Sequence, residues 1–164
     1  MTTIAYKDGI VAVDSRMTAS GTILNDDYNK ITELRNGGFM ISAGTVMDIQ
    51  LLEDILNDGW QHHYSEFYQV NEATTDFETL YVDHDGNLST IIAYKGMLRT
   101  LRVRNDEIMT FGSGQEYALS AMIGFNKSAV DSVRHAMKFD AFTGGKIRTL
   151  CLATMEIREV ENGS

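Results

Sequence analysis

Apolar and polar positions along this chain repeat with two different periods, and the change of period marks its elements. Residues 3–7 and 9–13 are short runs rich in β-branched side chains, joined by Asp8-Gly9, a pair that favours a tight hairpin. Gly37-Gly38 punctuates before a third apolar strand at 39–43, which Gly44 ends. Val46, Ile49, Leu52 and Leu56 then recur at helical spacing, with Asp48 and Glu53 near the positive end of the helix dipole. Gly59 weakens that pattern, so the helix is expected to end around 60–63, and 64–77 shows no clear period. Residues 79–83, 89–94 and 97–103 read as consecutive antiparallel strands, with 83–87 and Lys95-Gly96 as turns. A short strand at 108–111 runs into Gly112-Ser113-Gly114; helical stretches follow at 117–125 and 129–139, the second capped by Ser128. Gly144-Gly145 breaks the pattern, and 146–154 with 155–160 close the chain as a strand pair. Strands so far apart in sequence have to share sheets, with helices on the outer faces. The expectation is an α+β protein, two stacked sheets between helical layers, in one domain over 1–164.

Composition narrows the class of partner. A length of 164 residues with 43% hydrophobic and 23% charged positions suits one globular core. The net charge of −9 disfavours nucleic acid and anionic membranes as electrostatic partners, and the basic segment holding Arg99, Arg102 and Arg104 reads as the solvated face of a strand. No apolar run is long enough to span a bilayer, and no basic region precedes an apolar stretch at the N-terminus, so neither an anchor nor a secretory signal is expected. A single cysteine, Cys151, forbids an internal disulfide and reads as a buried structural thiol in a reducing, cytoplasmic setting. His62-His63 diverge on a helix and His84 and His135 lack spaced partners, so no metal is expected.

The chemistry gathers at the N-terminus. Removing the initiator methionine would make Thr2 the chain terminus, placing a hydroxyl nucleophile and an α-amine on one residue. An α-amine titrates near 7.7–8.0 in an ordinary setting (about neutral pH), and threonine paired with it is a known way to activate a hydroxyl. While Met1 remains, Thr2 has an amide and cannot be its own base.

Six motifs in order carry a resemblance: Thr2-Thr3, Val13-Asp14-Ser15-Arg16, Lys30-Ile31, Ser42-Ala43-Gly44, Phe111-Gly112-Ser113-Gly114, and the run 140–145 from Asp140 through Thr143 to Gly145. Together they resemble a proteasome β-subunit, particularly the bacterial HslV-type peptidase, among the N-terminal nucleophile hydrolases. The resemblance implies a four-layer αββα sandwich and a threonine-type endopeptidase acting through an acyl-enzyme. It implies Thr2 as nucleophile, Lys30 as the buried cation beside it and Asp14 as that cation's partner. By the same resemblance Gly44 supplies the oxyanion N–H, and Ser113, Asp140 and Thr143 position the amine and its water. Thr143 stands where serine is more usual and keeps the hydroxyl. Thr18, Gly44 and Val46 would pair with an extended substrate, while Met17, Tyr28, Thr32, Ser42 and Val46 would line the first specificity pocket. No cofactor is implied. The implied partners are further copies in a ring or stacked rings, an unfolded polypeptide as substrate, and a separate ATP-dependent unfoldase, since the chain has no Walker motif.

Plainer readings stand beside these. Asp14 and Lys30 also read as a structural ion pair, Gly44 as a helix-start glycine, and Ser113 as an N-cap. The same nucleophile would serve a small-molecule amidase, and the same scaffold with Met1 retained would serve a non-catalytic assembly protein.

Overall fold

The computed structural model describes residues 1–58, 77–94 and 97–161. From the N-terminus come β1 (Thr3–Lys7), β2 (Ile10–Asp14), β3 (Met17–Ala19), β4 (Thr22–Asn25), β5 (Ile31–Glu33), β6 (Phe39–Gly44) and α1 (Val46–Asp58). Then follow β7 (Phe77–Val82), β8 (Leu88–Tyr94), β9 (Met97–Arg102), β10 (Met109–Gly112), α2 (Gln115–Gly124), α3 (Ala129–Ala136), β11 (Ile147–Cys151) and β12 (Glu156–Val160). The expected helix end at 60–63 and the aperiodic stretch 64–76 lie outside the described residues, while Phe77 opens β7. Contacts divide the chain into two compact units, Met1–Ile31 with Arg104–Ser164, and Thr32–Val103.

In the first unit five strands form an antiparallel sheet in the order β10-β1-β2-β11-β12. Asp8 and Gly9 both adopt positive φ (52° and 78°), the conformation of a two-residue hairpin turn, and pair Lys7 with Ile10. Ala5 and Ala12 on one face of this sheet meet Ala118, Met122, Ala129, Val133 and Ala136 of the two helices. Small side chains on both sides let helix backbones approach the strands closely. Ser128 caps α3 by accepting from the Asp131 N–H at 3.1 Å.

In the second unit the sheet order is β5-β6-β7-β8-β9. Leu52, Ile55 and Leu56 of α1 pack with Met40, Phe77, Ile91 and Ala93. Thr45 starts this helix, accepting from the Asp48 N–H at 3.4 Å and donating to its carboxylate at 2.5 Å. Gly44 therefore precedes the cap rather than serving as one.

Several boundaries differ from the sequence reading, each for a local reason. α3 ends at Ala136 rather than 139, because the chain tightens there into three-residue bonds from the Lys138 and Phe139 N–H groups to the His135 and Ala136 carbonyls. β11 stops at Cys151, where a turn ending at Met155 (φ 57°) begins, and this leaves Cys151 half-buried instead of buried. β3 and β4 form a separate two-stranded sheet across Ser20-Gly21 that periodicity does not reveal. β4 is exposed along its whole length, so no alternation marks it.

Candidate active site

Asp14, at the end of β2, is the hub of a buried polar cluster in the first unit. Its Oδ1 accepts from the Thr3 N–H at 2.9 Å and from Lys30 Nζ at 2.8 Å. Its Oδ2 accepts from the N–H groups of Gly144 (3.0 Å) and Arg16 (3.2 Å). Four donors satisfy a carboxylate with no side-chain exposure, which is what a buried charge requires. Lys30, 5% exposed at its side chain, also donates to the Met1 carbonyl at 3.1 Å. Peptide geometry puts that carbonyl oxygen about 2.3 Å from the Thr2 nitrogen, so the ammonium lies no more than about 5.4 Å from the atom that Met1 removal would turn into the α-amine. Burial pushes Lys30 below the ordinary lysine pKa, and Asp14 holds against that shift. Burial first, and Lys30 second, pull the Met1 amine below its ordinary value, and this amine donates to Thr18 Oγ1 at 3.0 Å.

A second hub lies at Asp140. Its Oδ2 accepts from Ser113 Oγ and Thr143 Oγ1, both at 2.6 Å, and its Oδ1 accepts from the Phe142 N–H at 3.0 Å. Burial opposes ionisation of this carboxyl, but those hydrogen bonds outweigh it and hold the pKa below the usual value. Ser113 is delivered by the β1–β10 ladder, which pairs Thr3 with Gly112, and its N–H donates to the Thr2 carbonyl at 2.8 Å. It does not cap α2: Gly114 occupies that position and no side chain bonds there.

Thr3, which the sequence motif names without a role, joins the two hubs. It is fully buried, and its Oγ1 lies 2.5 Å from Thr143 Oγ1 and accepts from the Gly114 N–H at 3.1 Å. Thr143 spends its single proton on Asp140, so Thr3 is the donor to Thr143. The protons thus run from Thr3 to Thr143 to Asp140, while the backbone of the same Thr3 binds Asp14. Gly114 is required here, since a Cβ would collide with both threonine hydroxyls. The pairing of Thr3 with Thr143 spans the chain from end to end, and no local pattern signals it.

Thr2, Asp14, Lys30, Ser113, Asp140 and Thr143 all belong to the first unit, and Thr2 itself is buried. Met17, Thr18 and Tyr28 lie there too, each half-buried. Gly44, Thr32, Ser42 and Val46 belong to the second unit. Gly44 is exposed at φ 149°, a conformation that suits glycine. The Ser42 hydroxyl is buried and engaged with Thr79 Oγ1 at 2.7 Å. Among the described residues no group of three acidic, histidine or cysteine side chains could hold a metal, and no helix is long and apolar enough to cross a membrane.

Three helices and three antiparallel sheets among the described residues make an α+β fold consistent with the proteasome-like sandwich. Residues 1–77 match the model of the family described as Proteasome subunit. That match takes in Thr2, Asp14, Lys30 and Gly44, and it supports a proteasome β-subunit-like hydrolase of the N-terminal nucleophile type. Comparison with curated proteins finds no match.

Proposed function

We propose that this chain is a threonine-type endopeptidase whose nucleophile is Thr2 once Met1 has been removed. The observation that carries the proposal is the double contact of Lys30, to Asp14 at 2.8 Å and to the carbonyl on the Thr2 nitrogen at 3.1 Å. A cation there disfavours protonation of the neighbouring amine, leaving it free to act as a base near neutral pH. The Thr2 hydroxyl gives its proton to that amine, directly or through a water, as Oγ bonds to the peptide carbonyl carbon. Collapse of the tetrahedral adduct breaks the C–N bond, the proton goes to the leaving amine, and an ester remains on Thr2. Water then cleaves the ester and restores the hydroxyl. Lys30 also stabilises negative charge developing on Oγ, and Asp14 keeps Lys30 charged despite its burial. Ser113, Asp140 and Thr143 orient the amine and its water.

Gly44 is assigned the oxyanion N–H by resemblance alone. By the same resemblance Thr18, Gly44 and Val46 are assigned to pairing with an extended substrate, and Met17, Tyr28, Thr32, Ser42 and Val46 to its first specificity pocket. Proteasome family members typically assemble into rings, which supports self-assembly; a cytoplasmic location, unfolded polypeptide as substrate and a separate ATP-driven unfoldase complete the proposal by resemblance alone.

The test uses a mechanism-based inhibitor that acylates N-terminal threonine, with intact mass reporting whether Met1 is gone. Met-free protein is expected to gain one adduct, and Thr2→Ala none. Absence of an adduct on verified Met-free protein overturns the reading.

A further inference from the structure

We infer that Arg148 is the positioning residue for Lys30, tying the segment that leads into Lys30 to the end of β2 that carries Asp14. The inference rests on the roles proposed above for those two residues. Arg148 sits on β11 opposite Val13 of β2 and Glu159 of β12. Its side chain is 15% exposed. One guanidinium nitrogen, NH1, donates to Ser15 Oγ at 3.1 Å and to the Tyr28 carbonyl at 3.2 Å. The other, NH2, donates to the Asp27 carboxylate and to Glu159 Oε2 at 3.3 Å. A single planar fork therefore holds the residue after Asp14 and the residue two before Lys30.

That grip matters because little else fixes the segment. Residues 25–27 and 29 are exposed and Tyr28 is half-buried, so apolar burial contributes little to its position. Polar contacts do the holding. Arg16 clamps Asp26 with bonds of 2.7 and 3.0 Å, and Lys146 bonds Asp27 at 3.0 Å. Of these three side chains, only Arg148 bonds backbone as close to Lys30 as Tyr28. Ser15 is itself a firm anchor. Its N–H bonds the Gly144 carbonyl (3.0 Å), its hydroxyl the Lys146 carbonyl (2.6 Å), and its own carbonyl accepts from the Tyr28 N–H (3.0 Å). A lysine at 148 would keep the charge but not the fork that spans Ser15 and Tyr28. Misplacing a reacting group by about 1 Å can cost up to about a hundredfold in rate, so modest drift of the Lys30 segment would be visible.

The experiment compares Met-free wild type, Arg148→Met, Arg148→Lys and Glu159→Gln. The first readout needs no catalysis: the pH dependence of N-terminal acetylation by acetic anhydride, followed by mass spectrometry. With Met1 in place, the charges that act on the N-terminal amine are those of Lys30, Asp14 and Asp140. Retreat of Lys30 is expected to raise the amine's midpoint in both Arg148 variants, and in Arg148→Lys the shift reports displacement rather than lost charge. The second readout is acylation by the threonine-directed inhibitor, expected to slow about tenfold in both. Glu159→Gln removes only the outer charge facing Arg148 and Lys146, leaves the Ser15 and Tyr28 bonds in place, and is expected to match wild type in both readouts. Should Arg148→Met fail to fold, Arg148→Lys carries the test. An unchanged midpoint in the Arg148 variants, or an equal shift in Glu159→Gln, overturns the inference. A wild type that takes no inhibitor while the variant midpoints still move would sink the peptidase reading and leave the role of Arg148 standing.

Discussion

At the scale of single residues, the four donors on Asp14 and the three on Asp140 explain how two carboxylates are accommodated so close to the N-terminus. Lys30→Met leaves Asp14 buried without its cation. Breaking such a pair from one side costs about 3–5 kcal/mol, and denaturant melts are expected to report a loss of that size. Inhibitor acylation of Met-free Lys30→Met is expected to fall by about 10²–10³, the scale of losing one preorganised electrostatic partner. Thr3→Val keeps the shape of the side chain but strands the Gly114 N–H and the Thr143 oxygen, at a cost of about 1–3 kcal/mol. Thr3→Ser is expected to recover most of that loss in the same melts. Asp14 and Lys30 stood out in the motifs that carry the resemblance, and the structure pairs them at 2.8 Å. The role of Thr3 did not, because its partner Thr143 lies at the other end of the chain and a strand threonine looks ordinary.

Among the elements, the glycine before α2 and the serine before α3 have opposite characters. Gly114→Ala drives a methyl into Thr3 and Thr143, short side chains that are already hydrogen-bonded. Overpacking of this kind costs about 1–3 kcal/mol, and slower acylation is expected alongside the lower melting point. Ser128→Ala removes only the cap on the Asp131 N–H. A loss of about 1 kcal/mol with unchanged acylation is expected there. The β1–β2 hairpin could be read from Asp8-Gly9, whose turn conformation the residues themselves favour. The β3–β4 pair could not, since a wholly exposed strand carries no alternation, and Ser20-Gly21 was its one available signal.

For the molecule as a whole, the Asp140 hub makes stability depend on acid. The folded-state pKa of Asp140 lies below its unfolded value, so the unfolded chain binds the proton first as pH falls. Its contribution is therefore complete above about pH 4, the unfolded carboxylate range, and is lost as pH drops through that value toward the folded one. Asp140→Asn is expected to be less stable than wild type at neutral pH, with the gap narrowing in acid. Urea melts at pH 7, 5 and 3 check both the size and the direction of that change. The second unit depends on Leu52, Ile55 and Leu56 of α1 against the β6–β8 face, a helical period already plain in the sequence.

By itself, the sequence determined the chemistry on offer: a threonine that methionine removal can expose, a lysine and an aspartate of the right types, and glycines where backbone must turn or come close. It also determined the order of the elements that carry a hydrophobic period, because that period is a local property; β3, β4 and β5 carry too little of one to be read. Only the tertiary structure decided that Thr3 links the Asp14 and Asp140 clusters, that Ser113 turns to Asp140 instead of capping a helix, and that Arg148 reaches the segment before Lys30. Those contacts join residues more than a hundred positions apart or depend on which way a side chain turns within a packed sheet. Their energies come from burial and hydrogen bonding that no short stretch of chain contains.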